Sequence, residues 1–483
     1  MEKIDILKAS DYFKANINLL IIFSFILTFS LISAYSIFQS QSGGLKLIYG
    51  DSYIYLEMAR RIAYTHQLYW GNFNSLIYPP IYPLILSPAY YFEDPQNIFL
   101  AVRWINIFIY SLVFFPIFGL LRSYANLKLP ESLIGGILFS CLPYSIEYSI
   151  TVMSETVYIP MLISVFYLAH KGWFYKTKLK SIIFGIILAI LPLIKDLGYV
   201  IVLAFELTFI FYYIIQIKNY KVKNKLNLAN VLLAFIAGFL VLLSTKLYIH
   251  IINPGMSLTV LGLKDINFIP LKNPFYWFDS IKTHYVFLNS ASFSMLGLLT
   301  IISFFSRKKN EFMKNFIFEI SLIFSILGTL IVIPLFMATF FPSNYLNDRY
   351  IVPFIFLFIL PGLKYYNNFY NKKIFWFIIT SLIVFYISSN YLNLSKLLKL
   401  SQQNNQIPSA NFIKETFSTL IIISTSILLY LKKNFFIRYQ YIFLLCLYIT
   451  LNIVRGGHAL SVDKFIDQEG NAMPKGTEGI KFP

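Results

Sequence analysis

The sequence predicts an all-α polytopic membrane protein. Its composition, its series of apolar runs long enough to cross a bilayer, and the basic residues that recur in every second connection all point there. Of 483 residues, 57% are hydrophobic and only 13% charged, with a mean hydropathy of +0.66. A soluble domain carries about 25% charged residues, so this chain has roughly half the usual supply for a water-facing surface. The net charge of +18 would point to nucleic acid in a soluble protein. Here it bears on the orientation of the chain in the membrane, and no nucleic-acid partner is expected. Cys141 and Cys446 lie in apolar stretches, which implies neither a disulfide framework nor a metal knuckle.

A helix needs about 20 mostly apolar residues to cross the hydrocarbon core. Runs of that kind fall at 17–38, 101–121, 132–150, 154–170, 181–194, 198–217, 228–249, 286–305, 316–341, 350–363, 374–391, 413–431 and 438–454. They make about 13 spans, and the shortness of 181–194 and 350–363 leaves the count between 12 and 14. The first run is too long for a cleavable signal peptide and lacks a small-residue cleavage site after it. No internal repeat is visible.

Orientation follows from the lysines and arginines. The short segments 1–16, 122–131, 171–180, 218–226, 306–315, 364–373 and 432–438 hold 23 of the 40 basic residues. Basic residues concentrate on the cytoplasmic side of short loops, so the N-terminus is expected inside and, with thirteen spans, the C-terminus outside. Residues 1–454 form the transmembrane domain. Its long outside loops are 39–100 and 251–285, and 455–483 is a polar, glycine-containing outside tail.

The first outside loop carries the densest pattern. From Ser52 to about Leu68 an amphipathic helix is expected, with Ile54, Tyr55, Met58 and Ile62 on one face. Glu57, Arg60, Arg61 and Tyr64 lie on the other, and Glu57 can pair with Arg61 four residues on. Such a helix lies flat in the interface. Tyr78-Pro79-Pro80 forbids its continuation, and the run 81–92 is too short to span. It suits an interfacial or re-entrant segment. Asp51 opens the helix and has two compatible readings. One is an N-cap that accepts hydrogen bonds from free backbone N–H groups. The other is a carboxylate at the membrane–water boundary that takes a proton from a hydroxyl.

Five segments together resemble a family. They are "GDSYIYLEMARRI" and "YPPIYPLILSP" in the first loop, "AVRWINIFIYSLV" at the second span, "MSETVYIPMLISVFYL" at the fourth and "NDRYIVPFIFLFIL" at the tenth. Their order and sidedness are similar to the GT-C glycosyltransferases that use polyprenyl-phosphate sugars, in the branch of protein O-mannosyltransferases and the lipid A aminoarabinose transferase. The likeness covers about the first 200 residues and returns near 347–360. It implies a GT-C-like helical bundle that moves a sugar from an isoprenoid phosphate to an acceptor hydroxyl outside the cytoplasmic (inner) membrane. The acceptor can be a lipid, a glycan or a protein. By motif position, Asp51 matches the acidic residue that activates the acceptor, and Glu155 matches the acidic position of the second outside turn. The chain has Asp51-Ser52 where protein O-mannosyltransferases tend to have Asp-Glu. That departure argues against protein mannosylation.

The implied chemistry assigns further residues. General-base help to a hydroxyl is typically worth about 10²–10⁴ in rate. The leaving lipid phosphate departs as an anion and needs positive charge beside it. Arg349, Arg103 and Lys195 stand at outer span ends within matching segments, and Arg60 lies on the interfacial helix. Each has the alternative of snorkelling to lipid headgroups. Tyr53, Tyr55, Tyr78 and Tyr82 are candidates to line a sugar site. Asp51 and Glu155 are the only candidates to share a divalent cation, Mg²⁺ or Mn²⁺, and metal dependence stays open. The five histidines show no ligand spacing. No Walker or glycine-rich phosphate motif appears.

Two other classes compete. A multi-span transporter or lipid-sugar flippase calls for ionisable residues near mid-bilayer, whereas most of those here gather at span ends. A polysaccharide polymerase centres on paired arginines in a long later loop, and 251–285 has none.

Overall fold

The structure, a computed structural model, describes residues 2–41, 51–66, 78–142, 146–218, 228–252, 300, 309–340 and 351–368. All of them belong to the unit Met1–Phe385. The expected spans 374–391, 413–431 and 438–454, nearly all of 286–305 and of the loop 251–285, the tail 455–483 and Arg349 lie outside the described residues.

The described residues are overwhelmingly helical, with no strand among them. Helix α1 is Glu2–Gln41, α2 Asp51–Thr65 and α3 Ile81–Leu86, which runs into a 3₁₀ turn at Ser87–Tyr91. Then come α4 Pro95–Ser111, α5 Phe114–Ser123, α6 Leu129–Ser140 and a 3₁₀ turn at Glu147–Ser149. They are followed by α7 Glu155–His170, α8 Trp173–Lys176, α9 Lys178–Ile194, α10 Gly198–Lys218 and α11 Leu228–Ile252. Helix α12 is Lys309–Phe340, and α13 is Ile355–Asn368 after a 3₁₀ turn at Val352–Phe354. Among the described residues four helical stretches are long and apolar enough to cross a membrane: Ile17–Ile37, Pro95–Ser123, Gly198–Ile215 and Leu228–Thr245.

Two expected spans take a different form. The one placed at 101–121 begins at Pro95, because the Asp94 side chain caps the helix by accepting from the Asn97 N–H and proline fits the first helical position. It then breaks at Leu112–Val113. Pro116 is the cause: it has no N–H for the Leu112 carbonyl, and its ring crowds that carbonyl. The span placed at 132–150 is a 12-residue helix ending at Ser140. At 1.5 Å per residue it reaches about 18 Å, short of the ~30 Å core. Pro143 explains the stop, since the residue before a proline avoids the helical region.

The irregular chain from Glu147 to Ser154, a 3₁₀ turn followed by bends, is buried at nearly every described position. Irregular backbone at such depth is tolerated only where protein satisfies its polar groups, and several polar side chains do so here. Ser52 donates to the Val152 carbonyl at 3.0 Å, Asn106 donates to the Thr151 carbonyl at 3.0 Å, and the Thr156 hydroxyl donates to the Tyr148 carbonyl.

Helices α9 and α11 approach closely through small residues. A Cβ on Gly185 would lie 1.8 Å from the Ala234 carbonyl oxygen, and one on Gly238 would lie 3.0 Å from the Gly185 carbonyl oxygen. Spacing by four keeps such residues on one helix face, the arrangement that draws membrane helices together. Gly185→Ala is therefore expected to push the helices apart at a cost of about 1–3 kcal/mol or more. The drop should be visible as a lower melting temperature in detergent. An unchanged melting temperature would mean that the contact is dispensable.

Candidate functional site

Helix α2 places its apolar residues inward: Tyr55, Leu56, Met58, Ala59 and Ile62 are buried, while Tyr53 and Tyr64 are exposed. It ends at Thr65, where His66 adopts a left-handed φ of 56°. Tyr90 donates to the Leu56 carbonyl at 2.8 Å, and Tyr64 donates to the Tyr90 carbonyl at 2.9 Å. These bonds tie the helix to the segment after Tyr78-Pro79-Pro80. As the short run 81–92 implied, that segment does not span: its helix covers only Ile81–Leu86.

Asp51 lies in the first turn of α2, where a carboxylate is favoured by the helix dipole. It is half-buried, and its Oδ1 accepts a hydrogen bond from the Tyr78 hydroxyl. The next residue, Ser52, anchors the helix to Val152, three residues before Glu155. The two acidic positions expected in the site thus belong to one neighbourhood, although about a hundred residues separate them in sequence.

Tyr82 completes the frame. Its hydroxyl reaches Asn106 Oδ1 at 3.2 Å, and its ring meets Tyr55 edge-on with centroids 5.0 Å apart. Tyr55 also meets Tyr78 edge-on at 5.0 Å. With Tyr55 at 3% and Tyr82 at 0% exposure, both rings pack within the protein and frame the site. Tyr53 and Tyr78 keep more exposed positions.

Glu155 opens α7 and is fully buried. Its Oε1 pairs with the Lys195 ammonium, and its Oε2 accepts from the Ser154 hydroxyl at 3.3 Å. Lys195 reaches it because α9 ends just before it: the Lys195 backbone is extended at φ −155°, ψ 135°. The Gly198 N–H bonds back to the Lys195 carbonyl at 2.8 Å. Only glycine allows this return, since a Cβ on Gly198 would sit 2.2 Å from the Pro192 nitrogen.

The other basic candidates divide. Arg103 in α4 donates from Nε to Ser36 Oγ at 2.6 Å, while its Nη2 is buried without a partner among the described residues. Arg60 is engaged by Glu57, with bonds of 2.8 and 2.9 Å, and Arg61 adds another at 2.9 Å. Partial burial works to raise the Glu57 carboxyl, but the hydrogen bonds from both arginines outweigh it and hold the group below its ordinary range. Among the described residues no three of His, Cys, Asp and Glu converge as metal ligands. The Glu155 carboxylate already faces an ammonium, a donor set that suits a cation of the protein's own.

Compared with known protein families, characterised proteins and solved structures, the chain matches none.

Other residues stand out once their burial and contacts are known. Tyr158, one turn after Glu155, is fully buried, and its hydroxyl has no hydrogen-bond partner among the described residues. Glu206 stands near the middle of α10 and is partly exposed. A second cluster joins four helices. Tyr124 donates to Glu319 Oε1 at 2.7 Å, Lys364 lies over the Tyr124 ring at 4.6 Å, and His170 meets that ring edge-on at 5.4 Å. Lys364, counted with the basic inside segments, is only 4% exposed. It therefore serves packing as well as any charge bias.

Proposed function

We propose that the chain is an integral-membrane glycosyltransferase with a GT-C-like bundle of about 13 transmembrane helices. It moves a sugar from a polyprenyl-phosphate donor to an acceptor hydroxyl on the outer side of the cytoplasmic membrane, with the N-terminus inside and the C-terminus outside. The observation that carries this reading is the convergence of Asp51 and Glu155 on the buried segment 146–154, with the Asp51 carboxylate oriented by Tyr78.

In this mechanism Asp51 removes the proton of the acceptor hydroxyl as its oxygen bonds to the anomeric carbon. The bond from that carbon to the phosphate oxygen breaks, and the lipid phosphate leaves with the electron pair. One displacement inverts the anomeric centre. The growing phosphate charge is met by fixed positive groups. Arg103, with its buried Nη2, and Arg349 fill that role. Lys195 and Arg60 are already paired with Glu155 and Glu57, so their charge is partly met within the protein and they are not assigned to the phosphate.

A second reading, a transporter or lipid-sugar flippase, is favoured by Glu206. A carboxylate in the middle of an apolar helix is costly and is a functional candidate by default. The two readings part in one experiment. Full-length protein in liposomes is given radiolabelled polyprenyl-phosphate pentoses and hexoses, and both covalent transfer to acceptors and movement of the intact donor are measured. The transferase reading expects transfer that survives Glu206→Gln. Donor movement without transfer, lost in Glu206→Gln, would replace it with the transporter.

A further inference from the structure

Tyr158 is a buried polar group that takes no part in the proposed displacement. It lies on α7 three residues after Glu155, so the two share a helix face. Its ring and hydroxyl are fully buried, and the hydroxyl has no partner among the described residues. A buried polar group without a hydrogen bond is destabilising, and native structures keep few of them. One that persists is placed for a partner that comes and goes. The surrounding groups limit what that partner is. Glu155 and Lys195 form a buried pair of opposite charge, so the pair itself carries no net charge. A phosphate brought beside it would face the Glu155 carboxylate. A neutral, hydroxyl-rich ring meets a carboxylate that accepts, an ammonium that donates and a phenol that does either.

Resting on the glycosyltransferase reading, we infer that Tyr158, with Glu155 and Lys195, binds the hydroxyls of the sugar being transferred, apart from the arginines that meet its phosphate. Tyr158 contacts the sugar and takes no part in proton transfer.

The test is Tyr158→Phe in the full-length protein, which removes one oxygen from a buried site. Two quantities are read: the melting temperature in detergent, without ligand and with donor, and the kinetics of transfer from radiolabelled polyprenyl-phosphate pentoses and hexoses. The melting temperature should stay level or rise, because no native hydrogen bond is lost. The KM for the donor should rise roughly tenfold, the worth of one hydrogen bond, with a smaller change in kcat. A fall of several degrees without ligand would show that the hydroxyl is held structurally and overturn the inference. An unchanged donor KM beside normal wild-type transfer would overturn it while the transferase reading stands. Absence of both transfer and donor-induced stabilisation in the wild type would overturn the two together.

Discussion

Asp51→Asn is expected to lower kcat for sugar transfer by about 10²–10⁴, the usual worth of a general base, while leaving the folded protein intact. Asparagine has nearly the same shape and keeps an oxygen that accepts from Tyr78, so the local hydrogen bond survives. What disappears is the capacity to take a proton. The donor KM should move little, because the carboxylate acts on the acceptor. Tyr78→Phe is a graded companion: it removes the Tyr78 hydrogen bond to the carboxylate but keeps the carboxylate, so a smaller kcat loss is expected. If both kcat and melting temperature stay at wild-type values in Asp51→Asn, the base lies elsewhere.

The second large effect concerns stability. Glu155 and Lys195 are exposed by 0% and 7% at the side chain, so neither charge has water to fall back on. Removing one partner of a buried pair strands the other, at a typical cost of about 3–5 kcal/mol. Glu155→Gln and Lys195→Met should each lower the melting temperature sharply, and each should reduce the yield of folded protein. The double variant strands no charge and should recover a large part of the loss. Strict additivity in that cycle would mean that the two groups do not stabilise one another. The carboxyl end of α9 depends on the same contact, because the Lys195–Gly198 turn aims the ammonium inward.

Much of this architecture is readable in the chain, for identifiable reasons. The apolar runs at 154–170, 198–217 and 228–249 correspond to Glu155–His170, Gly198–Lys218 and Leu228–Ile252, because a long apolar run bounded by polar residues has few other ways to fold. The 3.6-residue pattern after Asp51 places Tyr55, Met58 and Ile62 inward as expected, and Glu57 does pair with Arg61. The breaks were less evident. Pro116 and Pro143 carry the signal, but in a bilayer neighbouring groups can rescue a proline, so its presence alone does not decide where a helix ends.

The pairing of charges was legible only in part. Lys195 reads in sequence as a cation at a helix end, available to a phosphate. Its partner lies 40 residues earlier on another helix, and no local pattern encodes that meeting. Arg60 shows the opposite case, since Glu57 three residues before it is a visible partner that competes for it. Tyr158 was hidden by abundance: in a chain with 36 tyrosines, its burial and its lack of a hydrogen-bond partner among the described residues show only in the structure. Glu206 was visible as a lone acid between Phe205 and Leu207, and it weakens the argument that ionisable groups gather at span ends.

The proposed reaction is a single displacement at an anomeric carbon with Asp51 as base. Its most direct measurement is the anomeric configuration of the product formed by the wild-type protein from a polyprenyl-phosphate sugar of known configuration. Complete inversion is expected, an α-linked product from a β-linked donor, together with loss of that product in Asp51→Asn. A product of retained configuration would contradict it.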